Sequence, residues 1–431
     1  MKAAARKAVL VAADAQGLRR AGEALRKGAN VAFPTETVYG LGGNALDEVA
    51  VQNIFTKKGR PLTDPLIVHV LGPDAALELV KAQGSTRRIF DALATAFWPG
   101  PLTMVLQAKD VVPSKVCAGT GFVGVRSPAH DVARRLLEES NVPVAAPSAN
   151  RFGHVSPTTA DHVLDDLGDQ DVMVVDGGPV ELGTCSVGIE STVLKVADPS
   201  AADDDDTAPR ELVLFRKGGV PEAEIRRVLD SAGFVNTQIV APSKSSASKP
   251  SEESQSRDAS ATASAPANPG HAVEDDDVAT MAPGQLITHY APDVDTWLLE
   301  KSDAALSETE VSGQSSLRLE RACDAENDAS AQVVNLASCV VLDFGGALQP
   351  LQSSVLAYRE LSQSGDAAEA ARELFSALRW TESTEAKHVL VQDASHAKGA
   401  LAASVADRMF RAASGKVAVR FTFVTSTPAN P

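Results

Sequence analysis

The chain has few of the residues that staple, anchor or metallate a protein. Its four cysteines, Cys117, Cys185, Cys323 and Cys339, form no CxxC pair and have no histidine cluster beside them. That argues against a structural zinc site and leaves buried or free thiols in a reducing compartment. No apolar run reaches transmembrane length. The N-terminus, MKAAARKAVLVAADAQ, offers only VLVAA, too short for a good secretory signal. Arg6 and Lys7 leave organelle targeting open, with a cytoplasmic location well ahead. Cations are outnumbered, 40 Lys and Arg against 56 Asp and Glu, for a net charge of −16. This argues against a bulk-basic nucleic-acid binder but not against a local basic patch. A Walker sequence is missing too, because Gly415-Lys416 runs into Val417. Any bound nucleotide is then held by separate cations and hydroxyls.

What is present is enough for two domains with their own cores: 431 residues, 44% of them apolar. The most crowded stretch is 32–70, AFPTETVYGLGGNALDEVAVQNIFTKKGRPLTDPLIVHV. Thr35, Thr37, Tyr39, Lys57, Lys58, Arg60 and His69 lie close together there. A core segment has no use for so many polar groups, whereas a site for a charged substrate does. Asp47 reads as the N-cap of a helix that buries Val49, Ile54 and Phe55 and is stopped by Gly59 and Pro61. Residues 65–70 read as a strand.

Further along, helices are expected over 13–27, 130–139 and from Ser156 to Leu167. Strands are expected at 102–106, 122–126, 142–146, 172–176, 191–196 and 212–216. Several of these strands end in polar turns, the usual way an α/β sheet builds a ligand site. Asp203 to Asp206 interrupt the pattern as a solvated insertion. Residues 1–12 read as a tail, 13–229 as a catalytic α/β domain, 230–280 as a flexible linker, 281–292 as a lid and 293–425 as a smaller α/β domain. The linker is rich in Ser, Ala, Lys, Glu, Asp and Pro and too poor in apolar groups to offset its ordering entropy. In the last domain, 340–342 and 388–391 are expected strands, 367–378 and 403–413 helices, and 302–329 a second polar insertion.

Single residues leave two readings each. Lys58 and Arg60 suit phosphate oxygens, or they are a solvated helix end favoured by the macrodipole. Arg126 closes an apolar strand and needs a partner, either a substrate carboxylate or a structural Asp. His69 taken alone is a satisfied core histidine more often than a ligand. Ser148 and Asn150 in PSAN are an ordinary turn or a hydroxyl and amide aimed at a ligand. Arg216 is a phosphate contact or a strand-end turn.

As an ordered set these segments resemble one family. PTETVYGLG, KGRP with PLIVH, VGVRSP, PSAN, SPTTA, DGG, GIESTV and LFRKGG follow the order of the YrdC-like enzymes. GQLITHYAP and ASVADRMFRAASGK resemble the long-form threonylcarbamoyl-AMP synthases, which carry an extra Rossmann-like C-terminal α/β domain. The resemblance implies a twisted-sheet catalytic domain and a nucleotidyltransferase that makes threonylcarbamoyl-AMP and pyrophosphate from L-threonine, bicarbonate and ATP, with Mg²⁺ on the phosphates and no protein-held metal. It also implies residue roles. Lys58, Arg60, Ser148 and Asn150 form the reactive set. Arg60, Asp64, Ser148, Ser156, Arg216 and Tyr290 contact ATP, and Thr37, His69, Arg126 and Ser191 line the threonine side. The product passes to the tRNA threonylcarbamoyl transferase machinery, with direct contact to tRNA or double-stranded RNA left open. Phe122 departs from the family, which often has a small hydroxyl residue there, and Ala146 offers only backbone. Two alternatives stand beside this one. The first is an RNA-binding module of the same fold without synthase activity. The second is a carbamoyl-transfer maturation enzyme, which would bring zinc-finger segments absent here.

Overall fold

A computed structural model describes residues 7–178, 185–196, 210–242, 289–300, 311, 313–321 and 331–424. The acidic run from Asp203 to Asp206, Cys323, residues 243–280 of the expected linker and residues 281–288 of the lid lie outside them.

Local signals set the helix ends. Asp14 accepts from the Gly17 amide at 2.7 Å and starts α1 (Ala15–Arg26), which buries Leu18, Ala21 and Leu25. Asp47 likewise caps α2 (Glu48–Lys58) through the Val49 and Ala50 amides. Gly59 then ends α2 in the left-handed region at φ 64°, where a side chain is disfavoured. That stop turns Arg60 away from the helix surface and into the protein.

Eleven strands make one mixed sheet. From edge to edge they are β1 (Val9–Ala12), β8 (Met173–Asp176), β2 (Val31–Phe33), β3 (Gly40–Asn44), β7 (Val144–Ala145), β4 (Ile67–His69), β6 (Phe122–Arg126), β5 (Leu102–Gln107), β9 (Thr192–Lys195), β10 (Arg210–Arg216) and β11 (Thr237–Val240). Alternation splits each strand between two cores. Val31 and Phe33 pack with Leu18, Leu25 and Leu136, while Ala32 between them joins the cluster of Val68, Phe90 and Leu102. The glycines of β3 are needed for close approach: a Cβ on Gly42 would stand 2.8 Å from Val144 and 2.9 Å from Phe33.

The second domain has a parallel sheet of β16 (Ala357–Glu360), β15 (Cys339–Asp343), β17 (His388–Gln392), β12 (Asp295–Leu299) and β18 (Val417–Ala418). Two of its helices are α8 (Ala367–Glu382) and α9 (Ala402–Ala412). A small antiparallel sheet, β14 (Gln332–Asn335), β13 (Ser316–Glu320) and β19 (Arg420–Val424), lies beside it.

Three strands correct the sequence reading. β13 falls inside the stretch taken as a polar insertion, where Leu317 and Leu319 alternate inward between polar residues. β1, in the stretch taken as a tail, pairs in register with β8. β11, in the stretch taken as a linker, pairs with β10. Of the cysteines, Cys117, Cys185 and Cys339 are free and buried, and no described helix is long and apolar enough to cross a membrane.

The two domains share a core. Val38, Val155, Ile189 and Tyr290 join Ala371, Leu374 and Phe375 of α8 in one buried cluster. The backbones nearly touch there. A Cβ on Gly188, which has φ +76°, would sit 2.2 Å from the Ala371 carbonyl oxygen.

Candidate active site

One cavity gathers most of the polar residues singled out above. It lies along a face of the large sheet: Ile67 and His69, two apart on β4, line it, while Val68 packs into the opposite core. Polar strand-end turns contribute at its edges, but the strand face itself is part of the wall. Thr35, Thr37, Tyr39, Arg60, Arg126, Ser148, Ser191, Arg216 and Tyr290 also line it. The space left open is about 50 Å³, room for a few waters.

Three guanidinium groups face this space, and each is pre-set by a neighbour. Arg60 Nη2 pairs with Asp64 Oδ2 at 3.0 Å and donates to the Pro65 carbonyl at 2.8 Å, while its Nε donates to the Asp64 carbonyl. Asp64 therefore orients Arg60 and does not itself line the cavity. Arg216, at the end of β10, donates from Nε to the Ser191 carbonyl at 3.0 Å and from Nη2 to Ser191 Oγ at 3.2 Å. Ser191 Oγ is also 2.8 Å from Thr103 Oγ1. Arg126 ends β6, pairs with Glu36 Oε1 at 2.6 Å and donates to Thr37 Oγ1 at 3.0 Å. The partner the sequence demanded for Arg126 is thus Glu36, and it leaves the guanidinium on the cavity wall.

Lys57 and Lys58 separate cleanly. Lys57 stays near the surface and donates to the Asp171 carbonyl at 2.6 Å. Lys58 is only 4% exposed, so the solvated-helix-end reading fails for it. Its Nζ donates to the Ser148 carbonyl at 2.7 Å and to the Asn150 carbonyl, pinning the turn from below. Burial, and then Arg60, push its pKa well down. Asn150 Nδ2 donates to the Arg151 and His154 carbonyls, and Ser156 Oγ donates to Glu190 Oε1 at 2.6 Å. Lys58, Asn150, Ser156 and Asp64 are not among the residues that line the cavity and stand behind those that do.

The neutral groups are set by burial. His69 has its pKa lowered to about 3 by burial and then by Arg126. His289, which the sequence reading passed over inside THYAP, lines the cavity beside Tyr290, their ring centroids 4.1 Å apart. Burial, and then Arg60 and Arg216, push the His289 pKa well down. His289 Nδ1 and the Tyr290 hydroxyl are buried with no hydrogen-bond partner among the described residues.

Two further acids were not anticipated. Glu36 and Glu190 read as plain members of PTET and GIEST, and nothing local marks their partners. Glu190 lines the cavity and pairs at 2.8 Å with Arg408 of α9, 218 residues away. A second ionic junction lies outside the cavity. Asp166 meets Arg379 of α8 at 2.9 Å and His154 at 2.8 Å, and the other His154 nitrogen meets Glu382 at 2.7 Å. His154, Asp293 and Glu382 hold ligand atoms within 4.8 Å of one another. Those atoms are already engaged, however, because Arg151 also pairs with Asp293 at 3.1 Å.

Two family models match the chain. One, described as Telomere recombination, matches residues 23–202; the other, described as Threonylcarbamoyl-AMP synthase, C-terminal domain, matches residues 221–414. A threonylcarbamoyl-AMP synthase of Pyrococcus abyssi is 43% identical over 212 residues, which is 49% of this chain and 57% of that protein. The Bacillus subtilis enzyme of the same name is 41% identical over 213 residues, 49% of this chain and 56% of that protein. The chain thus spans little more than half the length of these relatives. The threonylcarbamoyl-AMP synthase of Vibrio vulnificus is 33% identical over 165 residues, 37% of this chain and 86% of that protein. Among solved structures, Pyrococcus abyssi Sua5 complexed with L-threonine superposes with a TM-score of 0.68 at 30% identity, covering 96% of this chain and 99% of that one.

Proposed function

The chain belongs to the threonylcarbamoyl-AMP synthase family, and on that premise we propose that it joins L-threonine, bicarbonate and ATP into threonylcarbamoyl-AMP and releases pyrophosphate. The observation that carries the reading is the convergence of Arg60, Arg126 and Arg216 on one cavity that also presents small hydroxyls. Threonine carbamate is an anion, and its oxygen must reach the α-phosphate of a polyanion. Cations fixed in advance by Asp64, Glu36 and the Ser191 carbonyl screen that repulsion without reorganising during the reaction.

Arg60 and Arg216 face the triphosphate, with Ser148 beside them; Asp64 and Ser156 act one step back, through Arg60 and Glu190. Thr37, His69, Arg126 and Ser191 form the threonine side. Arg126 takes the threonine carboxylate while Glu36 fixes its far edge. The low pKa of His69 keeps it neutral at physiological pH, so it adds hydrogen bonding but no charge. No general base is needed. The carbamate oxygen is itself the nucleophile, and holding it in line with the α-phosphate is most of the catalytic task. Lys58 and Asn150 keep the turn that presents Ser148 in place.

A space of about 50 Å³ is far below the several hundred Å³ of a typical ligand pocket. The segment carrying His289 and Tyr290 therefore withdraws to admit ATP and closes over it again, where the unpartnered Tyr290 hydroxyl finds a hydrogen bond. Glu190 is the one carboxylate among the described cavity-lining residues, and Ser156 and Arg408 occupy it. Among the described residues the cavity thus offers an ion no free carboxylate, and Mg²⁺ arrives on the phosphate oxygens. The product feeds a tRNA threonylcarbamoyl transferase, and the enzyme works in the cytoplasm.

The test is pyrophosphate release by purified protein given ATP and bicarbonate. Release should need threonine and fall steeply when serine replaces it. Release that ignores the amino acid would sink the reading.

A further inference from the structure

α9 belongs to the second domain, yet it drives two polar side chains into the wall of the cavity. Arg408 is fully buried. Its Nε donates to Glu190 Oε2 at 2.8 Å, its Nη2 to the Lys217 carbonyl at 2.8 Å, and its Nη1 to Asp407 Oδ2 at 2.7 Å. Its guanidinium carbon lies 5.1 Å from the centre of the Tyr290 ring, within cation–π range. Four residues earlier on the same face, Ser404 Oγ donates to the Gly218 carbonyl at 3.0 Å.

Apart from the one to Asp407, these contacts fall on residues that line the cavity or stand within two positions of one that does. Glu190 lines the cavity and precedes Ser191. Lys217 follows Arg216. Tyr290 closes the space. The backbone there has no slack: a Cβ on Gly218 would come within 2.4 Å of Glu190 O and of Ser191 C and Thr192 N. A side chain gripping Lys217 and Glu190 therefore fixes how Arg216 and Ser191 sit.

The charges point the same way. Glu190 carries a buried carboxylate into a cavity meant for anions. With its partner removed it would repel a triphosphate and compete with it for Arg216 and Arg60. A buried carboxylate is tolerated only when paired and hydrogen-bonded. Arg408 supplies the pairing from across the domain boundary, and Ser156 satisfies the other oxygen.

We propose that Arg408 is a positioning residue for nucleotide binding: it neutralises Glu190 and holds the Arg216 strand end and Tyr290, so that the second domain completes the ATP wall rather than merely covering it. The proposal rests on the synthase reading for the identity of the ligand. It does not require that Arg408 touch ATP.

The test compares wild type, Arg408→Ala, Arg408→Lys and the double variant Arg408→Ala/Glu190→Gln. ATP affinity is measured by titration calorimetry, kcat and KM by pyrophosphate release, and fold by circular dichroism. Arg408→Ala should raise the ATP Kd and KM about tenfold or more, the scale of exposing a buried charge without its partner. Arg408→Lys should fall between it and wild type. In the double variant, removing the stranded charge should recover most of the ATP affinity. A folded Arg408→Ala with unchanged ATP affinity overturns the proposal. So does a loss that Glu190→Gln fails to recover, because a purely structural tie between domains would not respond to that charge. If Arg408→Ala does not fold, Arg408→Lys carries the comparison, and wild-type affinity in it overturns the proposal. A wild-type protein that binds ATP but releases no pyrophosphate counts against the synthase reading alone.

Discussion

Around the cavity, Lys58, Arg60, Arg126 and Arg216 are answered by Glu36, Asp64 and Glu190, and Glu190 is shared with Arg408. At the junction below it, Arg151, His154 and Arg379 are matched by Asp166, Asp293 and Glu382. The cavity cluster is buried and the junction only in part, with Arg151 and Asp293 52% and 70% exposed, and both join the two domains. They differ in balance. The junction closes its charges on one another, so it needs nothing from outside. The cavity keeps more cations than acids around a small open space, and a surplus of buried positive charge is stable only where an anion completes it. The first arrangement holds the fold, and the second awaits a ligand.

That contrast is tested most strongly by removing one group from each side. Arg60→Ala takes a preset cation from the cavity and should lower turnover about 10²-fold or more, read by pyrophosphate release. Because Asp64 is buried beside it, stability should fall as well. Arg379→Ala should lower stability and leave the chemistry alone. Arg379 and Asp166 are 5% and 2% exposed, and Asp166 keeps His154 as a partner, so losing this pair should cost about 2 kcal/mol of stability in a denaturant titration. The ATP KM of the folded fraction should stay within about twofold of wild type. If Arg379→Ala raised the KM as much as Arg60→Ala lowers turnover, the two clusters would not be distinct.

Acidity gives a smaller handle on the junction. Burial opposes charge on His154, but its bonds to Asp166 and Glu382 outweigh that and raise its pKa above 6.5. A raised pKa means the folded state binds the proton more tightly. The stabilisation is therefore complete below the unfolded value and fades as pH rises through the folded one. The melting temperatures of wild type and His154→Gln should lie furthest apart at mildly acidic pH and draw together on the alkaline side. A gap that widened with pH would reverse the sign and refute the imidazolium bridge. Smallest of all, Lys57→Ala should change stability by about 0.5 kcal/mol or less, because its ammonium donates to a surface carbonyl. A large effect would mean that the division between Lys57 and its buried neighbour Lys58 is misplaced.

The sequence was most legible where function and local structure coincide. Asp47, Gly59 and Pro61 marked the helix that delivers Lys58 and Arg60, and the polar residues of PTET, VGVRSP, PSAN and LFRKGG stood out in turns. Thr37, Arg60, His69, Arg126, Ser148, Ser191, Arg216 and Tyr290 do converge on one cavity. What stayed hidden depends on contacts far apart in the chain. No local pattern says that Glu36 faces Arg126, or that a helix near the C-terminus sends Arg408 to Glu190. Depth was hidden as well. Lys58 and Asn150 look like Arg60 and Ser148 in sequence, yet they serve the wall from behind, because only the packing of the turn decides which atoms face inward. Short strands failed for a related reason. Ser316–Glu320 has the alternation of a half-buried strand, but five residues in polar surroundings carry little signal until a neighbouring strand pairs with them.

The central claim is that the surplus cations of this cavity bring an amino-acid carbamate to the α-phosphate of ATP. The direct measurement is mass spectrometry of a reaction containing purified protein, ATP, L-threonine and ¹³C-bicarbonate. The account predicts an AMP adduct that carries threonine and one labelled carbon, appearing together with pyrophosphate and lost in Arg60→Ala. ATP cleaved without any labelled adduct, or an adduct that forms equally well without threonine, would contradict it.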